Sequence, residues 1–348
     1  MVKFINIKAI SAVLFTIFFL VSLLLSQEEA KSVSFALVGD IMLGSDYNDN
    51  RLPPDEGREL FADAAQYLSA ADVAIGNLEG AITSAEKCIK NVANGNVYAF
   101  RMPPYLAVRL AEAGFDVLNT ANNHSNDFGA LGRAQTERIL DSLGIAHTGR
   151  KGDIAVIEVK GLTIAVIGFA TGYGNFSIFN VDYASAVIES LDSVCDIVVA
   201  TFHGGAEGPK HIHLPNGSEY FLGEERGNLR KFAHSLVDAG ADIVFGHGPH
   251  VPRAIEKYRD KIIAYSLGNF CTWYGINVSG VCGLAPMLIV NIDCDGNFQS
   301  MKIISFEQQT LHRPRLDPKN RAGILMLELS MSDVDEFPYE LLQFTQKE

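Results

Sequence analysis

The chain has 348 residues, 48% of them hydrophobic, and a formal net charge of −13. This apolar content excludes a disordered chain, and the length suits one large α/β domain or two modest ones. The acidic balance, with no clustered excess of Lys and Arg, excludes a nucleic-acid groove; an anionic substrate would have to be met by a metal or a local positive charge.

Lys3 and Lys8 lead into a nearly unbroken apolar run, Ala9 to Leu25, the order of a basic region and hydrophobic core in an export signal. Ser26 offers a small residue before a cleavage point, and the run is at the short end for a membrane span. A cleaved signal peptide and a retained membrane anchor are both open for residues 1–31. Either reading predicts an exported protein, membrane-anchored or in the cell envelope or periplasm. The five cysteines are odd in number and scattered, so they spell neither a disulfide framework nor a zinc knuckle. Cys195 reads as a core residue, and a Cys271–Cys282 pair depends on geometry that spacing does not supply.

Val33 to Val38 reads as a buried strand that stops at Gly39-Asp40. Pro53 to Leu68 has helical spacing, and Ala71 to Ile75 is a second strand, ending in Gly76-Asn77-Leu78-Glu79-Gly80. The polar stretch Ala85 to Ala99 contains Asn-Gly and has no regular periodicity. A helix starts after Arg101 in the Pro103-Pro104 pair and runs to Ala113, with Gly114 as its stop. Arg101 is either an anion contact near a site or a surface residue.

Phe115 to Leu118 is a short strand, and Ala130 to Leu143 has helical spacing. Between them lies Thr120-Ala121-Asn122-Asn123-His124-Ser125-Asn126-Asp127-Phe128-Gly129. In an open α/β sheet such a stretch sits at the carboxyl end of a strand, where ligands bind. Its carboxamides, imidazole and carboxylate suit holding a cation and moving a proton.

Farther on, Ile154 to Val159 and Leu162 to Gly168 form a hairpin about Lys160-Gly161. Val181 to Leu191 is a helix, and the strand Ile197 to Phe202 delivers His203. His211 and His213 read as solvated loop residues. Glu224 to Ala239 is an amphipathic helix, and the strand Asp242 to Phe245 leads into Gly246-His247-Gly248-Pro249-His250, where Gly and Pro can turn two histidines toward one point. Strands at Ile262 to Leu267, Pro286 to Ile292 and Phe298 to Phe306 follow, the last two joined by Asp295-Gly296-Asn297. The tail from Leu316 reads as a helix and a strand packed on the main domain. The expected division is 1–31, 32–306 and a C-terminal extension 307–348.

Asp40, Glu79, Asn123, His203, His247 and His250 all follow apolar strands, so a sheet can gather them on one edge. Mixed carboxylate, amide and imidazole donors suit Mn, Fe or Zn better than an oxygen cage for Ca. Such a centre polarises an acyl or phosphoryl oxygen and activates water, the chemistry of hydrolysis or group transfer.

The motifs Gly39 to Gly44, Asn77-Leu78-Glu79-Gly80, Ala121-Asn122-Asn123-His124 with Asp127 and Gly129, Gly246 to Val251 and Tyr265 to Phe270 resemble the CapA family of poly-γ-glutamate capsule synthesis proteins. That family is similar to calcineurin-like metallophosphoesterases. The resemblance implies an α/β fold built as a two-sheet β-sandwich flanked by helices, with a centre of one or two divalent metal ions at the strand ends. It makes Asp40 the first aspartate, Asn123 an amide ligand, His203, His247 and His250 the later histidines, and His124 the proton donor. Asp127 would either orient His124 or cap a helix. The chain departs from the phosphoesterase pattern at Met42, where a histidine is expected, at Asn77, where a bridging aspartate is expected, and in the wider His247–His250 spacing.

The function expected is a metal-dependent hydrolase or transferase acting on an anionic cell-envelope polymer such as poly-γ-glutamate, or on a small phosphoester. The alternative is a non-catalytic component that binds or exports the polymer.

Overall fold

Strands buried on both faces read as continuous apolar runs, and in this protein the two faces of each such strand enter different cores. The computed structural model describes residues 32–92, 97–337 and 342–344. Along β1 (Ser32–Met42), Phe35 and Leu37 point into one apolar cluster while Ala36 and Val38 point into another. The same alternation marks β2 (Val73–Leu78) and β3 (Val117–Asn119) in the first sheet. It marks β4 (Leu162–Ala170), β5 (Ile197–His203) and β6 (Ile243–His247) in the second.

Among the described residues the first sheet has nine strands and the second has seven. The first runs from Arg315–Leu316 through Phe298–Glu307 and Leu284–Asp293 to β1, β2, β3 and Ala146–Thr148. A short strand, β7 (Asn269–Thr272), is added parallel to the end of β1. In the second, β4, β5 and β6 are mutually parallel, with antiparallel strands Ala155–Val159 and Ile255–Tyr258 at its margins.

The layer between the sheets joins Phe35, Leu37, Ile75 and Val117 to Val166, Val199, Ile243 and Phe245, all with no exposed surface. Fully burying each such Val, Leu, Ile or Phe contributes roughly 1.5–3 kcal/mol. Helices cover the outer faces. Leu140 of α1 (Gly129–Ser142) joins the first outer core, and Phe232 and Leu236 of α2 (Leu229–Asp238) join the second. This is the helix-flanked two-sheet sandwich expected of the fold class.

Val33–Glu348 forms one unit that includes the residues after Glu307. α3 (Arg321–Asp333) ties the margins of both sheets, because Ser330 Oγ accepts from the Ile255 amide (2.8 Å) and the Gly323 amide donates to Ser305 Oγ (2.9 Å). The strand Leu342–Phe344 pairs with Phe298–Glu307. The apolar run Ala9 to Leu25 lies outside the described residues, among which no helix is long and apolar enough to cross a membrane.

Two expectations fail for identifiable reasons, and the open question of the Cys271–Cys282 pair is answered. Pro53 to Leu68 is not one helix: Asp55, Glu56 and Gly57 all have positive φ, leaving a 3-10 turn and a four-residue helix, Ala65–Leu68. Glu224 to Ala239 is divided by Gly227 (φ +93°) into a strand, Glu224–Gly227, and α2, which starts where Asn228 Oδ1 accepts from the Lys231 amide. Cys271 and Cys282 are both buried free thiols.

Gly39 holds β1 against the turn before β7. A Cβ there would lie 2.1 Å from the Gly268 carbonyl oxygen and 2.6 Å from that of Leu267. Gly39→Ala is expected to lower unfolding free energy by about 2–3 kcal/mol, the scale of overpacking a tight site. Gly217→Ala, with nothing within 4 Å of its added Cβ, should stay within about 0.5 kcal/mol of wild type. Urea denaturation of the two variants checks both values.

Candidate metal centre

Parallel pairing brings the strand ends into register. Asp40 of β1 is level with Asn77 of β2 and with Asn269 of β7, and His203 of β5 is level with His247 of β6. One sheet thus delivers the carboxylate and the other delivers imidazoles. The loop after β6 then doubles back, with Gly248 at φ +111° and His250 at φ +56°. A Cβ on Gly248 would sit 2.6 Å from the Gly204 carbonyl oxygen, so the loops after β5 and β6 approach this closely only through glycine.

Asp40 is fully buried. Its Oδ1 accepts from Asn77 Nδ2 (2.8 Å) and lies 3.3 Å from His247 Nδ1, while Oδ2 is 2.9 Å from His250 Nδ1. Glu79, also fully buried, points Oε1 at three imidazoles: His250 Nε2 at 3.7 Å, His203 Nε2 at 3.8 Å and His124 Nε2 at 4.0 Å. Asp40, Glu79 and His250 each offer a ligand atom within 4.8 Å of the others.

Burial opposes the charge on Asp40, yet contacts with the His247 and His250 imidazoles outweigh it and hold the carboxyl well below its usual range. Burial, reinforced by the neighbouring Asp40 charge, pushes Glu79 well above its usual range. Burial drives His203 well down. At His250 burial is outweighed by the Glu79 and Asp40 carboxyls, which raise the imidazole to about 10.

A divalent cation fits this donor set. Among the described residues Glu79 Oε1, both ring nitrogens of His203 and His247 Nε2 are buried without a hydrogen-bond partner. Each such group costs about 1–3 kcal/mol when left unmade. The separations of Glu79 Oε1 from His250 Nε2 (3.7 Å) and His203 Nε2 (3.8 Å) are short enough for two bonds of about 2 Å each to one ion.

Asn123 and His124 lie on the wall of a cavity of about 300 Å³, together with His250, Glu207, Phe100 and Tyr98. Asn123 Oδ1 is buried and has no hydrogen-bond partner among the described residues. His124 Nδ1 is 2.8 Å from Asp127 Oδ2, and burial lowers its pKa more than Asp127 raises it. His211 is half-buried, and exposed His213 pairs with Asp333 (2.9 Å). Arg101 is committed to Asp46 (2.6 Å) and the Ala85 carbonyl (3.1 Å).

Two of the three departures from the phosphoesterase pattern, Met42 and Asn77, have structural explanations. Met42 is a core residue whose Sδ accepts from the Gly44 amide (3.3 Å). Asn77 turns its amide nitrogen to Asp40, while its oxygen accepts from Asn119 (2.9 Å) and Asn122 (3.1 Å).

Sequence reasoning missed Asn269, whose Nδ2 donates to the carbonyls of His250 (3.2 Å) and Cys282 (3.0 Å), and Asn122, whose Oδ1 accepts from the His124 amide (3.0 Å). It also missed Glu207, held by Arg226 (2.6 Å). Asn269 ends the Ser266-Leu267-Gly268 turn within the Tyr265 to Phe270 motif, and those were the signals for it.

Glu79→Gln replaces a buried, protonation-prone carboxyl with a neutral isostere. Chelator-treated wild type and variant should therefore unfold within about 1 °C of each other, the shift expected for well under 1 kcal/mol in a domain of this size. Divalent zinc or manganese at about 100 times its Kd should add about 2.7 kcal/mol to wild type and much less to Glu79→Gln. Equal gains in a thermal-shift assay would remove Glu79 from the ligand set.

Residues 34–274 match the family described as bacterial capsule synthesis protein PGA_cap. The chain is 30% identical over 267 residues to the capsule biosynthesis protein CapA of Bacillus anthracis, covering 70% of this chain and 61% of that one. It is 31% identical over 261 residues to the PGA biosynthesis protein CapA of Bacillus subtilis strain 168, covering 70% and 64%. It thus spans less than two thirds of the length of these relatives. It is also similar to the 5′-nucleotidase precursor from Thermus thermophilus, with a TM-score of 0.47, 13% identity and coverage of 87% of this chain and 59% of that one. With the family match running from within β1 past the end of β7 and so containing every residue of the candidate centre, the chain belongs to the PGA_cap family of bacterial capsule synthesis proteins.

Proposed function

We propose that this chain is an exported, metal-dependent hydrolase or transferase of the cell envelope, acting on an anionic polymer such as poly-γ-glutamate or on a small phosphoester. The observation that carries this reading is Glu79 Oε1, buried without a hydrogen-bond partner among the described residues and facing three imidazole nitrogens at 3.7–4.0 Å. Asp40, Glu79, His203, His247 and His250 hold the ion, with Asn123 as the amide donor on the cavity side. When bound, a Mn, Fe or Zn ion supplies Lewis-acid polarisation of an acyl or phosphoryl oxygen and water activation at neutral pH.

The chain's own residues do the remaining work. Asp127 holds His124 through Nδ1, Phe100 covers the imidazole at a ring separation of 4.3 Å, and Nε2 faces the cluster. His124 moves a proton at Nε2 to or from the substrate in the adjoining cavity. One ion is the stoichiometry favoured by Met42, which is a core residue, and by Asn77, whose oxygen is saturated by two amides.

The second reading, a binder that holds or exports the polymer without cleaving it, rests on the same two residues. A one-ion site is enough to fix an anionic group.

Metal analysis of the purified protein, paired with phosphoester and γ-glutamyl amide substrates, tests the enzyme reading. About one equivalent of metal is expected. His250→Ala should lose it. His124→Ala should keep metal and fold while turnover falls about a hundredfold or more, the scale of losing a general acid. Full turnover in His124→Ala would remove its proton role, and lost metal would make it a ligand. Metal without turnover, together with retention of poly-γ-glutamate, would favour the binder. Export is tested by cell fractionation: the residues from Ser32 onward should be recovered outside the cytoplasm, and full-length protein solely in the cytosol would overturn it.

A further inference from the structure

Lys90 lies in the polar stretch that has no regular periodicity, yet its ammonium group reaches the proton-transfer pair. Its Nζ is 2.6 Å from Asp127 Oδ1, 3.2 Å from His124 Nδ1 and 3.2 Å from the carbonyl oxygen of Tyr98, which it donates to. The Lys90 side chain is 26% exposed and that of Asp127 is fully buried, so this ion pair is largely out of water. Two more contacts, from the same stretch and the residue that follows it, reach Asp127. The Phe100 amide donates to its Oδ2 (2.8 Å), and the Ile89 amide donates to its carbonyl oxygen (2.9 Å).

These contacts leave His124 one tautomer. An ammonium group and a peptide N–H only donate, so the Asp127 carboxylate that receives both is an acceptor. Its Oδ2 lies 2.8 Å from His124 Nδ1, a separation that requires a proton on Nδ1. The lone pair is then on Nε2, the nitrogen that faces Glu79 and the cavity wall. The rival arrangement, with Lys90 donating to a bare Nδ1, would set that lone pair against the carboxylate oxygen. Without Lys90 the buried Asp127 loses its only close cation among the described residues, and with it one of the contacts that hold its carboxylate against Nδ1. His124 is then free to adopt either tautomer.

We propose that Lys90 is a positioning residue that acts through Asp127 to hold His124 as the Nδ1–H tautomer. The role of His124 in turnover rests on the function proposed above; the tautomer does not, and it is measured separately.

The test is ¹⁵N NMR of the histidines in the full-length chain, as purified and after chelation, with the His124 resonance assigned by His124→Gln. Wild type should carry its proton at Nδ1. Lys90→Met should give a mixture of tautomers, and Lys90→Arg, which keeps a donor cation, should restore the Nδ1–H form. Wild-type His124 protonated at Nε2, or an unchanged tautomer in Lys90→Met, would overturn the proposal. Lys90→Gln carries the same reading should Lys90→Met not fold. On a substrate that wild type turns over, Lys90→Met should lower kcat by about 10–100-fold, the scale for losing the partner that orients a histidine. KM should stay within about twofold and metal content should be unchanged. A loss of metal content instead would assign Lys90 a structural role and overturn the proposal. If wild type turns over no substrate, the proposed function fails while the tautomer measurement still decides the role of Lys90.

Discussion

The contact on which the rest of the structure depends is that between Asp40, on the first sheet, and the imidazoles of His247 and His250, delivered by the second. A fully buried carboxylate is tolerated only when paired. Here the pairing crosses the sandwich. The apolar layer between the sheets sets their separation, and the parallel registers set Asp40 level with Asn77 and Asn269 in one sheet and His203 level with His247 in the other. A slip of one residue in β6 would turn His247 into the outer core and take away one of the two imidazoles that meet Asp40.

A second layer of polar contacts holds the histidine-bearing loops. Arg253, fully buried, makes two hydrogen bonds to Glu219 (2.8 and 2.7 Å) and donates to the carbonyls of His211 (2.9 Å) and Ala206 (3.2 Å). It therefore ties the loop after His203 to the segment just beyond His250. Arg226 does the same locally, binding Glu207 and the Gly205 carbonyl. On the other side, Asn269 and Asn122 fix the His250 and His124 backbones. The cost of the site is visible in its unpartnered buried atoms and in His250 at positive φ. Strain and unmet hydrogen bonds of this kind persist where surrounding packing imposes them, and they gather at functional sites.

Much of this was legible from residue order. Apolar runs located β1, β2, β5 and β6 to within a few residues, because a strand buried on both faces needs continuous Val, Ile, Leu and Ala. Gly114, predicted to stop a helix, does so at φ +92°. Lys160-Gly161 turns the predicted hairpin with both residues at positive φ. The failures came where local periodicity competed with backbone conformation. Residues 53–68 and 224–239 have helical spacing, but positive φ at Asp55 to Gly57 and at Gly227 breaks it. The Ala85 to Ala99 stretch has no periodicity at all, so nothing in it marked Lys90 as a partner of Asp127.

The sequence by itself determined which residues stand at the strand ends and what chemistry they can offer, since polar residues that interrupt apolar runs fall at the carboxyl edge of a parallel sheet. Only the tertiary structure decided which of them meet. Asp40 and His250 are 210 positions apart, and their 2.9 Å contact exists because two sheets pack face to face. It also decided orientation. A sequence names Asn77 and Met42 but does not say that one turns its nitrogen to Asp40 while the other sinks into the core. Side-chain direction depends on neighbours that are distant in the chain, and local pattern carries no record of them.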